Sequence, residues 1–406
     1  MGVWVLGGKQ TDFARNWARG GLEFADLVKE VVEGTLEDCA VAAQEIDVIH
    51  VGNAFGQLFT GQGQLGGMPA TVQEGLWGVP SSRHEAACAS GGIAVLSAMA
   101  DLEAGRYDCA LVIGVELEKT VPGDVAARHL GAAAWIGHEG QDAAFMWPHM
   151  FSELAEEYDR RYGIDDRHLH AIAELNIRNA RANPLAQTRK WAFSDASFSA
   201  DDEANPRVEG RLRRQDCSQM TDGGAGVVLV SDRWLRRHER RPAASITGWG
   251  HRTVGLPLHR KLERSADQPY VLPHVRQAAV DAFGRAEIAD VDALDGIEVH
   301  DCFSMSQYMA IDHVGITAPG ESWKAVESGE LEIGGRIPVN PGGGLIGGGH
   351  PVGATGVRML LDATRQVTGR AGDYQVEGAR RFGTLNIGGS TTTTVALVVE
   401  GASDGR

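Results

Sequence analysis

The alternation of strand and helix patterns along this chain predicts an α/β fold made of two similar halves. Two further observations point the same way. Each half places a strand, a Gly-rich turn and a helix around one reactive residue, Cys88 in the first and His350 in the second. The strand segments are also nearly continuous in apolar residues, as strands covered on both faces of a sheet require. The halves share pattern rather than identity, which reads as internal duplication of one α/β unit.

The first half is expected over residues 1–118. Residues 3–8 (VWVLGG) form a short buried strand and 22–41 an amphipathic helix. A second strand over 46–54 leads into the Gly-rich stretch 61–76. SSRHEAACAS (81–90) is a strand-to-helix junction, and its helix runs on through 91–107 with apolar residues at helical spacing. Residues 107–118 (YDCALVIGVELE) make a further strand. From 119 to 245 the chain becomes richer in charge and helix and reads as an inserted cap, although sheet-like patterning resumes at 222 and about 225–250 completes the first half. The second half, 251–406, repeats the cycle. It has a helix at 275–286, a strand at 294–304 ending in polar residues, and a Gly-rich run at 338–356 that opens a helix. A terminal strand pair at 380–400 is broken by glycine.

Composition narrows the function classes. At 406 residues with 43% hydrophobic and 23% charged, the chain reads as soluble and globular, long enough for one large α/β core or two fused ones. No run of about 18 apolar residues exists, so no membrane span is expected. The ends carry no targeting signature, which makes the cytoplasm the expected location. Five scattered cysteines fit neither a disulfide framework nor a zinc site, and no metal is expected. The net charge of −16 argues against nucleic-acid binding but leaves room for an anionic ligand in a local basic pocket.

Four motifs carry chemistry. Cys88, in HEAACASGG, sits where its sulfur meets the free N–H groups of a helix start, a place that lowers a thiol pKa and offers donors to a negative oxygen. A lone cysteine is otherwise most often a buried structural residue. His350, in GGGHPVGATG, has glycines on both sides that let a ligand approach the backbone. His300, Asp301 and Cys302 end a strand, where α/β proteins place active residues. Asn386-Ile387-Gly388-Gly389 breaks the last strand pair and brings backbone N–H groups near the site, unless it is only an ordinary hairpin. A thiol beside an imidazole is a nucleophile and its base; a second thiol implies a second proton to move, as in carbon–carbon bond chemistry on thioesters. The arginines of PRVEGRLRRQ (Arg207, Arg211, Arg213, Arg214) are candidates for coenzyme A phosphates, although such a run is usually a solvated surface. Residues 145–150 (FMWPHM) could line an acyl pocket or simply pack.

Together these motifs resemble the thiolase superfamily, over nearly the whole chain: CASGG the nucleophile motif, GGGHPVGATG the histidine motif, with ANPLAQ (182–187) and DCSQMTDGGAGVVLVS (216–231) also matching. Conventional thiolases carry an acid/base cysteine in C-x-G near the C-terminus; here that place is Asn386. They carry N-E-A-F where this chain has His300-Asp301-Cys302-Phe303. This exchange resembles the sterol-carrier-protein-2-type thiolases and the archaeal and bacterial acetyl-CoA acetyltransferases, from which Gln307 departs by standing where an acidic residue is expected. The resemblance implies two mixed five-stranded sheets in a five-layer αβαβα core with an inserted loop domain. It implies Cys88 as nucleophile, His350 as its base, and the N–H groups of Cys88 and Gly388 as oxyanion donors. Cys302 becomes the acid/base for the α-carbon, and His300 and His350 hold the thioester oxygen. It further implies acyl-CoA and coenzyme A as substrates with no bound cofactor, a homodimer or homotetramer, and room for an accessory subunit. The rival readings are an aldolase or thiolase on sterol side-chain thioesters and a non-catalytic lipid- or CoA-binding relative.

Overall fold

The computed structural model of the chain describes residues 2–402; Met1 and the last residues of the expected second half, 403–406, lie outside it. Eleven strands are present among the described residues. In chain order they are β1 (Val3–Gln10), β2 (Val48–Gly52), β3 (Ser81–His84), β4 (Cys109–Glu116), β5 (Arg207–Glu209), β6 (Leu212–Arg213), β7 (Gly223–Ser231), β8 (Ala244–Thr253), β9 (Gly296–Val299), β10 (Arg381–Gly388) and β11 (Thr393–Gly401). Nine form one mixed sheet in the order β3-β2-β4-β7-β1-β8-β11-β10-β9, while β5 and β6 make a separate hairpin.

The two halves are visible in that order. Strands β3-β2-β4-β7-β1 belong to the first and β8-β11-β10-β9 to the second, joined at a seam where Trp4 faces Ser245 and Val5 faces Ala244. The second half therefore has four strands rather than the expected five. Its fifth place is taken by a single bridge between Ile297 and Val339. Pro338 and Pro341 flank that position, and proline supplies no N–H for a ladder, so pairing stops after one residue.

Layering follows from the period-2 alternation of side chains. On β4, Ala110 and Val112 enter the central core while Leu111 and Ile113 enter an outer one; on β11, Val395, Leu397 and Val399 face the centre and Ala396 and Val398 the opposite outer core. The central layer consists of the helices Ser90–Glu103 and Thr355–Val367, packed against each other. Helix Phe24–Cys39 covers the outside of the first half and helix Pro273–Arg285 that of the second, which gives the expected five αβαβα layers.

Strands β4 and β7 are antiparallel neighbours, so everything between them is an excursion from the sheet. It ends at Asp222, where β7 begins, earlier than the 245 expected for the cap. β7 is buried along its whole length in the middle of the first half, because its run of small and branched apolar residues suits a strand covered on both faces. The excursion holds helices Gly123–Gly131, Met146–Tyr162 and Asp166–Ala180.

Candidate active site

The two central helices begin against each other, and this builds the site. Glycine makes the approach possible. A Cβ on Gly91 would come within 2.9 Å of Gly353 O, and one on Gly356 within 2.1 Å of Gly92 N. Cys88 lies two residues before one helix start and His350 five before the other, across a short 3-10 turn, so backbone contact between the starts carries the two motifs together. A tight turn presents the half-buried Cys88 to the site: Ala87 has φ 51°, and Ser90 Oγ donates to Ala87 O (2.6 Å) while accepting from Ala86 N–H (2.9 Å). His300 follows the end of β9 directly and enters from the second half.

The Cys88 sulfur and ring nitrogens of His300 and His350 lie within 4.8 Å of one another, and the two rings are edge-to-face with centroids 5.1 Å apart. Thr355 Oγ1 donates to Pro351 O (3.2 Å) and so accepts from His350 Nδ1–H (2.7 Å). That leaves the His350 Nε2 lone pair free, in a buried position without a protein partner. Asn386 Nδ2 donates to Cys88 O (3.0 Å) and to His300 Nδ1 (3.3 Å), which places the His300 proton on Nε2. The cluster spacing would suit a metal ion, but a protonated Nε2 offers no lone pair for one. The arrangement provides one nitrogen that accepts a proton and one that donates a hydrogen bond.

Electrostatics keep both partners neutral. Burial, with Glu118 second, pushes the Cys88 thiol up to about 12, and the N–H groups of Gly389 and Cys88 offset this only in part. The expected lowering by the helix start is thus overruled, since desolvation disfavours the thiolate more than the donors favour it. Burial, with Arg358 second, pulls His350 down to about 3; burial, then His350 and Arg358, holds His300 well below its ordinary value. Glu118 borders the cavity and is pushed well up by burial and by Glu116, itself raised to about 7 by burial. Its carboxyl accepts from Val352 N–H (2.8 Å), in the loop that carries His350.

A cavity of about 220 Å3 opens over Cys88, Cys302, His350 and Gly389, and it is mostly apolar. Cys302 is buried, 3.7 Å from Ser306 Oγ, and burial followed by the neighbouring Cys88 pushes its thiol well up. A third thiol, Cys217, also borders the cavity; its sulfur donates to Arg213 O (3.3 Å). Of residues 145–150, Phe145, Met146, Trp147 and Pro148 line the cavity, whereas Met150 packs in the core.

Several expectations need correction. The Gly389 N–H reaches the Cys88 sulfur and Gly389 borders the cavity, which makes it a second candidate donor beside the expected Gly388. A Cβ on Gly388 would lie 2.2 Å from Ala86 O, so only glycine fits against the turn that carries Cys88. Arg211 is held by Asp159 (3.2 Å) and Asp166 (3.0 Å), and Arg213 is buried against Asp202 (2.7 Å), so neither guanidinium is free for a phosphate. Acids of the same excursion have claimed them. Arg207 and Arg214 face solvent, and neither borders the cavity. Gln307 sits behind the site, where its Oε1 accepts from Asn176 (2.7 Å) and Asn340 (3.0 Å). Asn176 also donates to Asp301 (2.7 Å), whose carboxylate pins the Gly-rich loop through Leu345 and Ile346 N–H. A neutral amide at 307 therefore avoids a second carboxylate beside Asp301. Thr355 and Glu118 were not legible as site residues; a threonine inside a helix start and an acid at a strand end become informative only once their partners are known.

The family models of the thiolase N-terminal domain and the thiolase C-terminal domain-like region match residues 3–233 and 258–401. The chain belongs to the thiolase family. Within it, this thiolase-family chain is 33% identical to the acetyl-CoA acetyltransferase of Methanothermobacter thermautotrophicus over 98% of each chain. It is 28% identical to sterol carrier protein 2 of Gallus gallus over 99% of this chain and 73% of that one. Both kinds of relative fit the branch with His300-Asp301-Cys302. Among solved structures, the Ltp2-ChsH2(DUF35) aldolase superposes with a TM-score of 0.78 at 19% identity, covering 100% of this chain and 99% of that one. Human mitochondrial 3-ketoacyl-CoA thiolase in complex with CoA gives 0.70 at 15%, covering 99% and 98%. These two likenesses establish the shared thiolase fold.

Proposed function

We propose that this protein is an acyltransferase that makes or cleaves 3-ketoacyl-CoA thioesters through an acyl-enzyme on Cys88. The observation that carries the reading is the Cys88–His350 pair: a thiol beside an imidazole whose free Nε2 has no other partner. Because both are neutral at rest, His350 takes the thiol proton as the sulfur attacks the thioester carbonyl. The developing oxyanion is received by the N–H groups of Cys88 and Gly389, a kind of stabilisation that contributes a few kcal/mol per donor. Coenzyme A leaves as the free thiol, carrying the proton of Cys302, and a second thioester enters. The Cys302 thiolate so formed takes the α-proton of that thioester while His300 Nε2–H and the still-protonated His350 hold the enolate oxygen. The enolate carbon then attacks the acyl carbonyl, and the Cys88 sulfur leaves and recovers its proton from His350. In the reverse direction Cys302 protonates the departing carbanion and coenzyme A collects the acyl group. One site serves both directions, and kinetics are ping-pong.

The apolar wall of Leu130, Met146, Trp147 and Phe151 supports an acyl group larger than acetyl in this cavity. The reading extends to a homodimer or homotetramer working in the cytoplasm without a bound cofactor. The name of the solved neighbour pairs Ltp2 with ChsH2(DUF35), which supports looking for an accessory chain here as well.

Mass spectrometry after mixing with a 3-ketoacyl-CoA tests the reading. Wild type should gain an acyl group on Cys88, Cys88→Ala none, and Cys302→Ala should still be acylated by an acyl-CoA yet fail to make or break the carbon–carbon bond. Cleavage of a 3-hydroxyacyl-CoA to a carbonyl product, with no acylation of Cys88 by any thioester, would point to the aldolase reading, and normal turnover by Cys302→Ala would remove the role of the second cysteine.

A further inference from the structure

We infer that Lys261 is a positioning residue for acyl transfer, whose ammonium clamps the turn presenting the Gly389 N–H to Cys88. The inference rests on the oxyanion role proposed for that N–H. Lys261 lies on helix Leu258–Arg264 and is only 6% exposed. Its Nζ donates to three neutral acceptors of one turn: Ser390 O, Ser390 Oγ (2.8 Å) and Thr392 Oγ1 (2.8 Å). Hydrogen bonds from an ionised donor are roughly twice as strong as neutral ones.

The turn needs holding. Gly389 has φ 62° and Thr391 has φ 63°; the left-handed region is costly for a β-branched residue and persists only where surroundings over-determine it. Three other residues assist: His274 Nε2 donates to Thr391 O (2.9 Å), Val254 N–H donates to Thr392 O (2.9 Å), and Leu256 O accepts from Ser390 Oγ (3.2 Å). Among the described side chains, Lys261 alone grips the turn on both sides of Thr391, at Ser390 next to Gly389 and at Thr392. The clamp is itself anchored. Glu139, from the segment between β4 and β7, accepts from Leu258 N–H (2.8 Å) at the start of the lysine's helix and from Trp135 N–H (3.0 Å). Burial, opposed by Glu139, draws Lys261 down to about 7, so near neutrality the side chain is a mixture of ammonium and amine, and packing alone gives no reason to bury it here. Three acceptors converging on one atom give such a reason.

Lys261→Met keeps the side-chain length and removes the donors; Lys261→Arg keeps donors at that place, and the cleft beside Arg260 and Arg264 leaves room for it. Three measurements are needed: amide hydrogen exchange of residues 389–392, kcat and KM for a 3-ketoacyl-CoA, and alkylation of Cys88 by iodoacetamide, which needs no oxyanion donor. For Lys261→Met the turn amides should exchange about tenfold faster or more. Its kcat should fall by roughly tenfold to a hundredfold with KM within about twofold, less than the loss of a whole oxyanion donor. Alkylation should stay near wild type, and Lys261→Arg should recover most of the kcat. Unchanged exchange in the turn would overturn the clamp whether or not the protein transfers acyl groups. Alkylation falling in step with kcat would reduce Lys261 to a general stabilising residue. Absence of acyl transfer in the wild type would instead strike the proposed function and leave the exchange result to decide the clamp.

Discussion

Cys88 and His350 meet as a thiol and a neutral imidazole, with the thiol raised to about 12 and the imidazole lowered to about 3. Between those values neither group changes charge at rest. Inactivation of the free enzyme by iodoacetamide should therefore climb steadily with pH through 6 to 10, following the small thiolate fraction. A plateau reached below about pH 7 would mean a resting thiolate–imidazolium pair and contradict the burial argument. At this scale the sequence was a good guide to which residues gather at the site, because Cys88, His300, Cys302 and His350 each stood in a distinctive local motif. It was a poor guide to what tunes them. Asn386 read as a cysteine lost, yet its amide sets the tautomer of His300. The partners of Asn386 lie 86 and 298 positions away, and no local pattern encodes such contacts.

The two central helices are the elements on which the site depends, and their glycines make them touch. Gly356→Ala would set a methyl group 2.1 Å from Gly92 N and 2.5 Å from the Asn386 amide oxygen. The helix starts must then separate, at a cost of about 1–3 kcal/mol for an overpacked core. Differential scanning calorimetry should show a lower Tm, and kcat should fall as Cys88 and His350 move apart; an unchanged Tm would show that the junction can yield. Most elements were legible: the strands at 46–54 and 107–118 and the helices at 22–41 and 91–107 appear within a few residues of their expected ends. Their signals are local, an apolar run for a doubly covered strand and helical spacing for an amphipathic face. The fifth strand of the second half failed to form because two prolines flank Val339, and the cap ends at Asp222 because β7 pairs between β4 and β1.

Across the whole molecule, buried ionisable groups set how stability responds to pH. Burial raises Glu116 to about 7 and Asp301 to about 6, and raises Glu118 and Glu298 as well. A carboxyl whose folded pKa exceeds its unfolded one holds its proton more tightly when folded, so its contribution falls as pH rises from the unfolded value to the folded one. Buried histidines act from the other side. His50 and His274 are lowered to about 4 and His350 to about 3, mainly by burial, so stability is lost as pH falls below the ordinary 6.5 toward those values. The Tm should therefore be highest between about pH 5 and 6.5, where the two trends oppose each other, and decline on either side. A Tm that rises from pH 6.5 to 8 would contradict this.

By itself, the sequence determined the α/β class, the duplication, the family and the four candidate residues that gather at the site. Each of these is written in short-range pattern: periodicity, a Gly-rich turn, a motif around one side chain. Only the tertiary structure decided which N–H meets the Cys88 sulfur, which arginines are already neutralised, and that the reactive pair is uncharged. These depend on distances between residues far apart in the chain and on exclusion of water, which exist only after the two halves close around their central helices.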